Sequence, residues 1–112
     1  MNLGKNHLAL AVKDIAASYA FYQKLGFEAL PNCGSIEDKW LIVRNGNIQL
    51  GLYQDMFSKN VITFNPPDVR AVQQALQSRG ITLSRTCDEN SSGPAYIMLK
   101  DPDGNEILMD QH

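Results

Sequence analysis

At 112 residues, 44% of them hydrophobic and 20% charged, the chain is expected to form one soluble domain of ordinary size, able to bury about two-thirds of its unfolded surface. A net charge of −2 with scattered Lys and Arg gives no surface for nucleic acid, and no run approaches the roughly 20 apolar residues of a membrane span. Met1–Lys5 lacks the apolar segment of a secretory signal, and Cys33 and Cys87 are too few for a disulfide scaffold, so free thiols in a reducing cytoplasm are expected.

The run HLALAVK from His7 predicts an opening strand over residues 6–12. Asp14 is an N-cap candidate for a helix over Ile15–Leu25, with Ser18, Phe21, Tyr22 and Leu25 on one stripe and Gly26 as the left-handed stop. Phe27–Leu30 reads as a short strand and 39–44 (KWLIVR) as another. Asn45-Gly46 is a two-residue hairpin signal, and 47–53 (NIQLGLY) closes the first set. Residues 54–60 are too short and too apolar for a flexible tether. Val61–Asn65 then begins a second set, halted by Pro66-Pro67. Asp68 caps a helix over Val69–Arg79, with Val69, Val72, Ala75 and Leu76 on its stripe, and Gly80 ends it. Ile81–Arg85 reads as a strand and Cys87–Pro94 as a polar, mobile loop. Two strands with alternating apolar residues, Ile97 and Leu99, then Ile107 and Met109, flank Asp101-Pro102-Asp103-Gly104, which carries type I turn residues.

A shift of 54 residues brings Asp14 onto Asp68, Gly26 onto Gly80 and Cys33 onto Cys87. Coincidence at a helix start, a helix end and a following strand indicates duplication of one strand–helix–three-strand unit. Period-2 alternation then sorts the strands. Leu8, Leu10, Val12, Leu50, Leu52, Ile62, Phe64, Ile107 and Met109 should face the helices. His7, Gln49, Gly51, Tyr53, Thr63, Asn65, Leu108 and Asp110 should face the other way, with Trp40 and Tyr96 placed on the same wall as aromatic surfaces with a polar handle.

The opening strand HLALAVKD, the helix SYAFYQKLGF and the closing DPDGNEIL resemble the vicinal oxygen chelate superfamily, and the resemblance spans nearly the whole chain. That superfamily holds glyoxalase I enzymes, extradiol dioxygenases, fosfomycin-resistance transferases and bleomycin-resistance binding proteins. The resemblance implies an α+β fold of two tandem βαβββ modules, about 1–53 and 61–112 joined by the linker 54–60. Within this single domain, curled mixed sheets form a cleft with the helices outside. It also implies a homodimer.

In the superfamily's metalloenzymes, the first and fourth strands of each module supply the metal ligands. Carried over, those positions are His7, Gly51, Val61 and Leu108, of which only His7 has a donor side chain. A catalytic centre needs at least three protein ligands plus an open position. No metal or other cofactor is therefore expected, and a site displaced to Gln49, Glu106, Asp110 or His112 would place Asp110 about 6.6 Å beyond Leu108 along its strand. The expected ligand-binding residues are His7, Trp40, Gln49, Tyr53, Thr63, Asn65, Tyr96 and Asp110. The implied function is metal-free binding of a small molecule, as in the bleomycin-resistance branch. The alternative is a glyoxalase-like lyase or isomerase using a displaced metal or His7 and Asp110 as a metal-free base.

Overall fold

The computed structural model describes all 112 residues, Met1–His112. Seven strands and two helices make an α+β fold with both parallel and antiparallel pairing. The chain divides into two compact units: His7–Val61, and Met1–Asn6 together with Ile62–His112.

The first unit holds β1 (Lys5–Val12), α1 (Ile15–Lys24), β2 (Glu28–Ser35), β3 (Trp40–Asn45) and β4 (Ile48–Gln54), with strand order β2-β3-β4-β1. The β3–β4 hairpin turns at Gly46, whose φ of 60° is a backbone conformation glycine adopts without a Cβ penalty. Its core gathers Ile15, Phe27, Leu41, Val43 and Leu52, with Leu10, Val12, Tyr19, Tyr22 and Leu50 packed around them. The helix stripe therefore differs from the expected one. Ile15, Tyr19 and Tyr22 point inward, whereas Phe21 and Leu25 are 57% and 54% exposed. Tyr22 sets this rotation by packing edge-on against the buried Phe27 ring at 5.6 Å. Leu8 shares the helix-facing side of β1 but is 40% exposed.

The second unit holds β5 (Val61–Asn65), α2 (Val69–Ser78), β6 (Ala95–Lys100) and β7 (Glu106–Gln111), in the order β5-β7-β6. Val69, Val72, Leu76, Ile97, Leu99 and Met109 form its core, and each such side chain contributes roughly 1.5–3 kcal/mol of burial. Gly104 N–H donates to the Asp101 carbonyl at 3.0 Å, closing the turn that joins β6 to β7. The Asp101 carboxylate accepts from the Asn105 side chain and from the backbone of Asn105 and Asp103, which lowers its pKa.

The expected strand over 81–85 is reduced to a single bridge, Arg85 with Met98. A bend at Ser84 brings both Ser84 and Arg85 N–H onto the Met98 carbonyl and leaves no ladder to extend. This unit is thus βαββ, with the Arg85–Met98 bridge in place of a further strand. The polar loop that follows is fastened to α2. Arg70 donates to Asp88 O, Gly93 O and Ser91 Oγ at 3.1, 3.0 and 2.7 Å, while the buried Gln73 exchanges two bonds with the Cys87 backbone.

Both units use the same helix ends. Asp14 and Asp68 cap with a carboxylate oxygen that accepts from Ala17 N–H and Ala71 N–H. Gly26 and Gly80, at φ 90° and 80°, close matching C-terminal turns in which Phe27 N–H and Ile81 N–H return to Tyr22 O and Leu76 O. A further device recurs without any local signal. The last strand of each unit ends in a glutamine, Gln54 or Gln111, whose Oε1 accepts from the first helical N–H, Ile15 or Val69, at 2.9 Å in both cases. These N–H groups have no partner within their own helix, so the strand end completes the cap.

Candidate functional site

In the first unit, β4 lies between β3 and β1, with Tyr53 directly across from Trp40 on one side and Ala11 on the other. Leu50 and Leu52 belong to the core, so Gln49, Gly51 and Tyr53 occupy the opposite face. Three rings on that face run nearly parallel. Tyr53 lies 6.4 Å from Trp40 at 12° and 6.3 Å from His7 at 19°, and Phe57 meets Tyr53 edge-on at 5.2 Å. The Tyr53 hydroxyl and His7 Nε2 share a hydrogen bond of 3.2 Å. His7 is buried, while Trp40, Gln49 and Tyr53 are half-buried.

Gly51 makes this arrangement possible. A Cβ there would stand 2.5 Å from Tyr53 Cε2 and 2.9 Å from His7 Cδ2. The two rings therefore lean over bare backbone and form a flat floor. The end of the wall is pinned by the exposed Lys39–Asp55 ion pair at 3.0 Å and by Asn60 Oδ1, which accepts from Ala11 N–H.

In the second unit, Thr63 stands across from Leu108 and Tyr96 across from Asp110, on the face away from the core. Asn65 Nδ2 donates to the Asp110 carbonyl and to His112 Nε2 at 3.0 and 3.1 Å. Burial raises the Asp110 pKa above its ordinary 3.8, with a smaller opposing pull from His112. Thr63 is buried and its hydroxyl has no hydrogen-bond partner. The Arg85 guanidinium lies 4.4 Å above the Tyr96 ring.

Of the residues expected from sequence, His7, Trp40 and Tyr53 form one contiguous aromatic group with Gln49 on the same face. Thr63, Asn65, Tyr96 and Asp110 share a face of the other unit. Sequence reasoning misses Phe57, which lies in the segment expected to link the two sets, and Arg85, whose position beyond the bend at Ser84 breaks strand alternation. The requirement for glycine at 51 also had no sequence signal, since nothing local demands it.

The residues do not fit a superfamily-type metal centre. Gly51, Val61 and Leu108 offer no donor atom, and the rings of His7 and Tyr53 fill the space a side chain at 51 would need. No group of three or more His, Cys, Asp or Glu side chains is placed to hold a metal anywhere in the chain.

The architecture defines a class: an α+β protein with mixed strand pairing whose strand faces away from the helices carry mixed aromatic and polar side chains. The chain belongs to the Glyoxalase/Bleomycin resistance protein/Dioxygenase superfamily, whose family model matches residues 4–109. Among solved structures it is similar to a member of that superfamily from Vibrio splendidus 12B01, at 17% identity and TM-score 0.68, covering 96% of this chain and 98% of that one. It is also similar to a Legionella pneumophila structure described as an NAD-dependent benzaldehyde dehydrogenase, at 16% identity and TM-score 0.74 over 95% and 97% of the two chains. A third is methylmalonyl-CoA epimerase from Mycobacterium tuberculosis, at 14% identity and TM-score 0.67 over 98% and 88%. These identities establish the shared fold alone. No curated protein matches the chain.

Proposed function

We propose that the chain is a metal-free binding protein for a small molecule with a planar, electron-poor group, seated on the Trp40–Tyr53–His7 wall. The near-parallel rings over Gly51 carry this reading. Offset stacking and cation–π contact on such rings are each worth roughly 0.5–2 kcal/mol, and Gln49 and the Tyr53–His7 pair supply polar handles for orientation. Trp40 is the sole tryptophan, so its fluorescence reports this wall alone. Titration with bleomycin and a panel of planar heteroaromatic amines should give saturable quenching that Tyr53→Ala weakens at least tenfold. A folded protein that no member of the panel quenches would overturn the reading.

A second reading is a metal-free lyase or isomerase. It draws on the buried His7 hydrogen-bonded to Tyr53, on the raised pKa of Asp110, and on the fold shared with a structure described as an epimerase. Incorporation of solvent deuterium into a carbonyl substrate, abolished by His7→Gln or Asp110→Asn, would select it over simple binding.

The reading includes a homodimer in the cytoplasm. No helix is long and apolar enough to cross a membrane, and both cysteines are free thiols. The exposed Phe21 on α1, lining a groove of about 460 Å³ against β1, and the exposed Leu25 at the helix end favour self-association. Light scattering should give twice the chain mass of 12.5 kDa, and a monomer at micromolar concentration would remove this part of the proposal.

A further inference from the structure

The second unit's wall carries two opposite charges that do not meet. The Arg85–Met98 bridge puts Arg85 directly across from Met98, which is across from Leu108, so Arg85 stands on the same face as Tyr96 and Asp110. Its exposed guanidinium lies over the Tyr96 ring, Cζ 4.4 Å from the ring centroid, and makes no ion pair. Asp110, one strand further in, accepts at its backbone carbonyl from Asn65, yet its half-buried carboxylate has no hydrogen bond or ion pair. Two strand spacings and a two-residue offset along the strand, about 12 Å in all, separate the Arg85 and Asp110 backbones. The guanidinium leans over the Tyr96 ring and shortens that gap without closing it to the 4.0 Å of an ion pair.

Both groups are held in place. The loop that joins Arg85 to Tyr96 is tied to α2 through Arg70 and Gln73, and Gln111, next to Asp110, donates to Gly93 O at 3.2 Å. The two groups are therefore fixed apart by packing. Arg85 is exposed to solvent, so the desolvation falls on the half-buried Asp110 carboxylate, which has only the weaker pull of His112. A partly desolvated charge without a close partner is costly.

We infer that this face binds a small amino-acid-like zwitterion, its ammonium on Asp110, its carboxylate on Arg85 and its carbon chain along Tyr96 and Met98. The charge pattern selects this class. A simple amine would answer Asp110 but face the Arg85 cation, and a simple carboxylate would answer Arg85 but face Asp110. Only a ligand carrying both charges satisfies both groups. Every residue named here belongs to the second unit, whereas Trp40, Tyr53 and His7 belong to the first.

The test is a titration of the ¹⁵N-labelled full chain with glycine, L-alanine, L-glutamine and L-lysine, followed by amide and Arg Nε resonances. Ethylamine and propionate serve as probes lacking one charge. The expected result is a saturable millimolar shift at Tyr96, Asp110 and Arg85 Nε for at least one amino acid, with the Trp40 indole resonance unmoved. Ethylamine and propionate should bind at least about tenfold more weakly, and so should the amino acid to Arg85→Gln or Asp110→Asn. Absence of any saturable shift on this face, or equal binding of a single-charge probe, overturns the inference. The ligand comparison decides even if a variant fails to fold. Because Trp40 is read in the same spectra, failure here is distinguishable from failure of the proposed binding wall.

Discussion

Gly51→Ala adds one methyl group to the middle of β4, and the structure says what it meets. The new Cβ would lie 2.5 Å from Tyr53 Cε2, and 2.9 and 3.1 Å from His7 Cδ2 and Nε2. Ordinary carbon contact begins near 3.4 Å, so the Tyr53 ring must retreat by about 1 Å. It cannot do so freely, because Trp40 and Phe57 flank it and the buried His7 holds its hydroxyl at 3.2 Å. Overpacking of this kind costs about 1–3 kcal/mol. Alanine restricts the unfolded chain and returns about 0.4–1 kcal/mol. The expected net loss, from the middle of these ranges, is about 1 kcal/mol, and larger if the His7–Tyr53 hydrogen bond, worth about 1 kcal/mol, is lost as well. Urea unfolding followed by far-ultraviolet circular dichroism measures the loss, and a changed Trp40 emission maximum reports the displaced ring. The same substitution in a Tyr53→Ala background should cost less than half as much, because the closest contact is gone. A Gly51→Ala variant as stable as the parent, or equally destabilised in both backgrounds, would refute the idea that the two rings rest on bare backbone.

Gln54→Ala and Gln111→Ala should each cost about 1 kcal/mol by freeing the first helical N–H of α1 and α2, and denaturant midpoints unchanged in both would dismiss the strand-end cap. Asp110 gives a pH signature. Its folded pKa lies above the ordinary 3.8, so its ionised form is the disfavoured one in the folded state, and that penalty is present at neutral pH. Asp110→Asn is therefore expected to be more stable than the parent near pH 7, with the difference closing as pH falls through the Asp110 pKa and below 3.8; a variant less stable at neutral pH would contradict the shift. Arg70→Ala removes three hydrogen bonds to the loop 88–93, so limited proteolysis should cut that loop several-fold faster while the core unfolds at nearly the same denaturant concentration. Unchanged cleavage would mean the loop is held by other contacts.

Features fixed within a few residues were legible in the sequence. Asp14 and Asp68 cap because a carboxylate can reach an N–H three residues on, and Gly26 and Gly80 end helices because the left-handed backbone there costs other residues more. The closing turn from Asp101 and the two-fold alternation that sets His7, Gly51 and Tyr53 against Leu50 and Leu52 are local in the same sense. The matching helix ends of the two units were visible because these local signals recur at a fixed spacing.

Tertiary structure decided what depends on register between distant strands. Which stripe of α1 is buried turned on where the Phe27 ring lies, so Tyr19 replaced Phe21 in the core. The bend at Ser84 cancelled a strand that alternation alone predicted and carried Arg85 across to Tyr96. The glutamine caps needed the last strand of each unit to end beside its own helix start, across 39 and 42 residues of chain. Residue type and spacing report the short-range energies that shape each element. The meeting of a ring, a charge or a glycine with a group far along the chain depends on pairing geometry, which no single segment encodes.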